Sequence, residues 1–73
     1  MKIDWIDHFT IKTRFVRNEF IIEANKEGLL SLAGILTRMA EDNIGHGYTL
    51  HLDESNSLED DSVALVICKL KQQ

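Results

Sequence analysis

The chain has no proline, one cysteine and few aromatic rings. A single thiol excludes an intrachain disulfide, so nothing covalent closes these 73 residues on themselves. A domain this short draws only about 3–5 kcal/mol from its core without such a staple. A metal ion or a second copy of the chain would therefore help it. Positive charge is also scarce, with eight Lys and Arg against twelve Asp and Glu, a net charge of −4. That balance argues against nucleic acid as the direct ligand, because phosphate contacts draw on clustered Lys and Arg. It suits a basic protein partner instead. No apolar run approaches the roughly 20 residues of a membrane span. Residues 1–7 lack the basic start and apolar stretch of a signal peptide. A lone thiol and no targeting segment point to a reducing cytoplasm. The length leaves room for one domain, residues 1–73.

What is present is organised around residues 25–53. Apolar side chains recur at Leu29, Leu32, Ala33, Leu36, Met39 and Ala40, the spacing of one helical face. Leu30 and Ile35 widen that stripe, so the helix should lie on a sheet. Ser31, Arg38, Glu41 and Asp42 fall on the opposite side. Asn25 is suited to cap the first turn, and Glu27 to its positive end. Asn43 and Gly45 offer left-handed residues to stop the helix, which is expected over residues 26–42. Gly34 sits roughly 140° from the centre of the stripe, where no packing explains it and drift is the simpler account.

Before the helix, residues 10–16 alternate, with Ile11, Thr13 and Phe15 on one face and Thr10, Lys12 and Arg14 on the other. Arg17-Asn18-Glu19 reads as a short polar turn, and residues 20–24 as a second strand, hence an antiparallel hairpin. Residues 1–9 read as an extended lead-in whose Trp5 covers the core edge. After the helix, Gly45-His46-Gly47 is a turn that tolerates positive φ. Residues 48–53 form a third strand, with Tyr48, Leu50 and Leu52 on one face and Thr49, His51 and Asp53 on the other. Residues 54–61 are an acidic loop, and residues 62–70 a last strand. That strand is apolar on both faces, with Val63, Leu65 and Ile67 opposite Ala64, Val66, Cys68 and Leu70, which is the usual mark of an interior strand. The tail at Lys71, Gln72 and Gln73 is polar and expected to fray. The fold class is α+β in the order β-β-α-β-β. The expected architecture is one four-stranded, mainly antiparallel sheet with the helix on one face.

Several short motifs go further. Glu27-Gly28-Leu29-Leu30-Ser31-Leu32-Ala33, then His51-Leu52-Asp53, then Leu58-Glu59 ahead of Ser62-x-x-Leu65, resemble immunity protein family thirty-two of bacterial polymorphic toxin systems. The similarity runs from the second strand to the last. It implies a small cytoplasmic protein that binds a cognate toxin and blocks it without chemistry of its own.

Chemistry-bearing residues are few. His51 and Asp53, two apart on one strand, point the same way, with His46 as a third ligand across the turn and His8 as a remote fourth. No Cys pair or His-Glu-x-x-His pattern supports a metal there, and local hydrogen bonding is the simpler account. The alternative function is nonetheless a small metal- or ligand-binding module on the His51/Asp53 face. Cys68 in an apolar strand reads as an inert thiol. No serine has a nucleophile setting, and no glycine loop precedes a helix. No catalytic residue, metal or cofactor is assigned. The expected partner-binding set is Asp53, Glu54, Leu58, Glu59, Asp60 and Asp61, five carboxylates around one apolar anchor, with His51 beside them. The apolar face Ala64, Val66, Cys68 and Leu70 calls for cover by a homodimer or by the toxin, with Trp5 as the single-chain alternative.

Overall fold

The computed structural model describes residues 1–71, with the elements in the expected order. These are β1 (Ile11–Val16), β2 (Glu19–Ala24), α1 (Lys26–Met39), β3 (Thr49–Leu52) and β4 (Leu65–Cys68). Gln72 and Gln73, in the tail expected to fray, lie outside the described residues. Val16 faces Glu19 across the first hairpin, which leaves Arg17 and Asn18 as a two-residue turn. Both take positive φ, 52° and 65°. That is the type I′ geometry, whose twist matches the flanking strands.

The helix starts as its cap requires. The Asn25 side chain accepts from the Gly28 amide at 2.7 Å. It ends earlier than expected, at Met39, and Ala40 stays right-handed. Neither Asn43 nor Gly45 adopts positive φ, whereas Gly47 does, at 87°. The exposed carbonyls beyond the helix are met from outside. The Lys69 ammonium donates to the carbonyls of Glu41 at 2.8 Å and Ile44 at 2.9 Å, while in the last turn Ala40 N donates to Leu36 O at 3.1 Å and Glu41 N to Arg38 O at 3.1 Å, so no left-handed cap is needed.

The helix face is a correction. Gly28, Ser31, Ile35 and Met39 are its buried residues. Leu29 and Leu36 are 55 % and 53 % exposed, Ala33 and Ala40 are exposed, and of the expected face only Met39 is buried, with Leu32 partly so. The cause lies at two positions. A Cβ at Gly28 would stand 2.4 Å from the Thr10 carbonyl oxygen, so the glycine lets the helix press against the start of β1. Ser31, expected on the outer side, is buried because its hydroxyl accepts from Ile6 N at 3.0 Å and donates to Glu27 O at 2.8 Å. Arg38 then ties down Lys2 O at 3.1 Å and the Asp4 carboxylate at 2.6 Å. The lead-in is thus bound along one flank of α1, and the helix is turned toward it.

The sheet is a second correction. There are two two-stranded antiparallel ribbons, β1–β2 and β3–β4, where one four-stranded sheet was expected. The free edge of β1 is taken by the acidic segment instead of by a strand. Glu59 N donates to Ile11 O at 2.9 Å, Thr13 N to Ser62 Oγ at 3.2 Å, and Val63 N to Thr13 O at 3.2 Å. The Thr13 hydroxyl also donates to the Val63 carbonyl. Residues 62–64 are consequently outside β4, and beyond Thr13 the two ribbons share no ladder. The core joins them through Ile11, Leu52 and Leu58, with Trp5, Phe9, Ala24, Leu32, Leu50 and Leu65 packed around. Trp5 stacks on Phe9 at 4.5 Å, covering the core edge as expected.

These contacts order the stabilities of four variants. Gly28→Ala should cost about 1–3 kcal/mol by overpacking, while Gly34→Ala, with nothing within 4 Å of its new methyl, should gain up to about 1 kcal/mol. Ile35→Ala should cost about 2–5 kcal/mol, and the half-exposed Leu36→Ala about 1 kcal/mol or less. Urea midpoints decide. A larger loss at Leu36 than at Ile35 would mean that the helix is rotated.

Candidate partner-binding surface

The acidic segment is a built turn. Asp53 follows β3 directly, and its carbonyl accepts from the amides of Asn56, Ser57 and Leu58 at 3.2, 3.0 and 2.9 Å. Its carboxylate accepts from Ser55 N at 2.9 Å and Ser55 Oγ at 2.6 Å. Asn56 answers from the other side, accepting from Asp53 N and donating to His51 O, each at 3.0 Å. This side-chain mimicry of a backbone turn is what Asp and Asn do well. The chain then reverses so that Leu58 points inward.

Leu58, the expected anchor among the carboxylates, is only 5 % exposed and belongs to the core with Ile11 and Leu52. Its neighbours stay outside. Glu59, Asp60 and Asp61 are exposed. With Lys12 they line an open depression whose apolar lining residue is Leu58. Asp61 takes positive φ, 68°, and its amide donates to the Glu54 carboxylate at 2.9 Å. The two ion pairs among the described residues are Arg14–Glu23 at 2.9 Å and Arg38–Asp4 at 2.6 Å. The carboxylates of Glu54, Glu59, Asp60 and Asp61 take part in neither.

The expected set is therefore divided. Glu59, Asp60 and Asp61 come together on one rim, and Glu54 braces it. Asp53 is committed to the turn beneath. His51 projects from the outer face of β3 opposite Val66, away from the inward-facing Leu50 and Leu52. Lys12 is the residue the sequence did not bring in, because the bonds of Glu59, Ser62 and Val63 to Ile11 and Thr13 carry the acidic segment to β1. His46 lies elsewhere, its Nδ1 at 3.3 Å from Leu70 O. Among the described residues no three His, Cys, Asp or Glu side chains gather as a metal-holding group. Cys68, expected in an apolar interior, is exposed.

Small size, one helix and two ribbons define this as an α+β domain, and among the described residues no helix is long and apolar enough to cross a membrane. The family model of Immunity protein 32 matches residues 19–70, and the chain belongs to that family. The match begins at β2, so the lead-in and β1 lie outside it. No curated protein and no solved structure matches the chain. Immunity proteins of this family generally carry no enzymatic activity.

The Asp53 turn makes the segment sensitive to acid. The Ser55 hydroxyl bond first and the Ser55 amide next hold the Asp53 carboxyl below its ordinary value; burial opposes them, and the Asn56 amide and the charge of His51 add to the lowering. A carboxylate with a lowered folded-state pKa contributes stability above its unfolded value, about 3.9, and loses it as pH falls through the folded value. Asp53→Asn keeps an acceptor but does not titrate. Its urea midpoint should fall less steeply than that of the parent protein in that acid window. Identical slopes would assign the acid sensitivity to other carboxylates.

Proposed function

We propose that this chain is a non-enzymatic immunity protein that binds and neutralises a cognate bacterial toxin domain in the cytoplasm. Membership of the family supports this reading. The observation that carries it to a surface is the rim of Glu59, Asp60 and Asp61, exposed, outside any ion pair among the described residues, and fixed on a turn. Such a rim meets a basic protein surface, for example the cleft of a nuclease. Opposite charge speeds encounter, whereas buried anchors set most of the residence time. Glu54 and His51 extend the surface at its edges. Asp53 and Leu58 support it from below by shaping the turn and fastening it to the core. A second copy of the chain is the proposed cover for the exposed apolar face of residues 64–70.

The test requires a cognate toxin domain, identified by a neighbouring reading frame or by co-purification. Glu59→Gln, Asp60→Asn and Asp61→Asn combined should slow association, and the loss should shrink in high salt, where screening shortens the reach of exposed charge to about 3 Å at 1 M. Leu58→Ala should act differently, lowering the stability of the free protein by about 2–5 kcal/mol because it empties the core. An unchanged on-rate and full protection of cells with all three carboxylates neutralised would move recognition to another face.

A further inference from the structure

The exposed apolar surface is large for so small a chain. Among the described residues eleven large hydrophobic side chains are exposed, against five buried in the core. The β4 edge concentrates the feature that needs a partner most. Lys69 N donates to Tyr48 O at 2.8 Å and Lys69 O accepts from Gly47 N at 2.7 Å, so the main chain of Lys69 faces the β3 side. Antiparallel alternation then turns the amides and carbonyls of Val66 and Cys68 away from β3. Among the described residues nothing bonds them on that side. Contact with β1 stops at Val63, and Val66 is 51 % exposed.

Natural edge strands are usually blunted by charge, proline or a bulge. β1 carries Lys12 and Arg14, β2 carries Glu19 and Glu23, and β3 carries His51. β4 carries none of these, and residues 62–68 are uncharged throughout. The β2 edge is also open, but a symmetric pairing centred on Ile21 sets Glu19 against the partner's Glu23, and like charges directly opposite are destabilising.

We propose that β4 pairs antiparallel with β4 of a second copy of this chain, joining two β3–β4 ribbons into one four-stranded sheet. This rests on the proposed cover of the 64–70 face by a second copy, and it assigns the pairing. The twofold axis passes through Ile67. Val66 then exchanges main-chain hydrogen bonds with the partner's Cys68, and Cys68 with the partner's Val66, so the outward groups of β4 are satisfied. On the outer face Val66 meets the partner's Cys68 and Ala64 meets the partner's Leu70. No charge faces its like, which matters because each copy carries −4. Lys69 is turned aside by its bonds to Glu41 and Ile44. Two short strands bury less than the roughly 800 Å² that each partner gives to a stable interface, so the dimer forms reversibly with concentration. The acidic rim stays outside the contact, and each copy keeps its own.

The experiment uses the purified chain alone, so it does not depend on any toxin. Sedimentation across a concentration series should pass from monomer to dimer, and the amides of Val66 and Cys68 should exchange more slowly as concentration rises. Val66→Lys should stay monomeric with unchanged circular dichroism and urea midpoint, since the side chain is half exposed. Under mild oxidation Val66→Cys should form a linked dimer, the introduced thiol bonding to the partner's Cys68 across a hydrogen-bonded pair about 5.5 Å apart at Cα, within disulfide reach. A monomer at every concentration overturns the proposal. A dimer that survives Val66→Lys while the Val66 and Cys68 amides exchange freely also overturns it, by placing the contact on another face. Neither result bears on whether the acidic rim binds a toxin.

Discussion

One side chain holds four parts of the chain together. The Asn25 carboxamide oxygen accepts from Gly28 N at 2.7 Å and from Thr10 N at 3.0 Å, and its nitrogen donates to His8 O at 2.8 Å. Its own amide donates to Thr10 O at 3.2 Å. The lead-in, the start of β1, the end of β2 and the first turn of α1 therefore meet at one residue. Gly28 completes the junction, because any side chain there would strike the Thr10 carbonyl. The close approach sets the rotation of the helix about its axis. Ile35 and Met39 go inward as a result, and Leu29 and Leu36 are left outside.

That dependence explains what the sequence could and could not reveal. The N-cap, alternation and the first turn are local, and they were legible, whereas the helix stop was not: Asn25 caps, the hairpin closes at Arg17-Asn18, and the inward faces of β3 and β4 alternate as read, but Asn43 and Gly45 do not end the helix. The apolar arc of α1 was legible too, but it is wider than the face that packs. The sequence pattern centred the buried face on Leu36, whereas the structure uses the flank that carries a glycine and a serine. Neither residue announces burial by hydropathy. Gly28 is buried for its missing Cβ, and Ser31 because the lead-in needs its hydroxyl. The sheet was misread for a related reason. Which segment closes the β1 edge depends on contacts some fifty residues apart, such as Thr13 with Val63, and no period encodes them.

The acidic segment shows the same division. Its charges were legible and its architecture was not. Leu58 is an isolated apolar residue among carboxylates, which suits an exposed anchor and suits equally a peg that pins a loop to the core. Burial at 5 % selects the peg. The consequence for binding is favourable, because a loop already fixed by Asp53, Asn56 and Leu58 loses less conformational freedom on meeting a partner. Lys12 sits beside the rim because Glu59, Ser62 and Val63 are bonded to β1, so the local field includes one opposing positive charge that the segment alone does not show.

With the rim as the proposed recognition surface, stability and recognition are coupled in this chain. The rim carboxylates follow Leu58 directly in sequence, and the Glu59 amide is one of the bonds that close β1. An opening of the core that releases Leu58 also dissolves the rim, since the rim continues the turn that Leu58 fastens. A partner that holds the rim must then hold β1 against the segment as well. Any ligand selective for the folded form stabilises it by mass action, by about 2.7 kcal/mol at a hundredfold excess over Kd. Against the few kcal/mol available to a core of this size, that contribution is comparable with the whole. On the proposed reading, core substitutions far from any partner weaken binding by lowering the population that carries an intact rim. A loss of protection caused by changing Leu58 is then a statement about folding before it is one about contact.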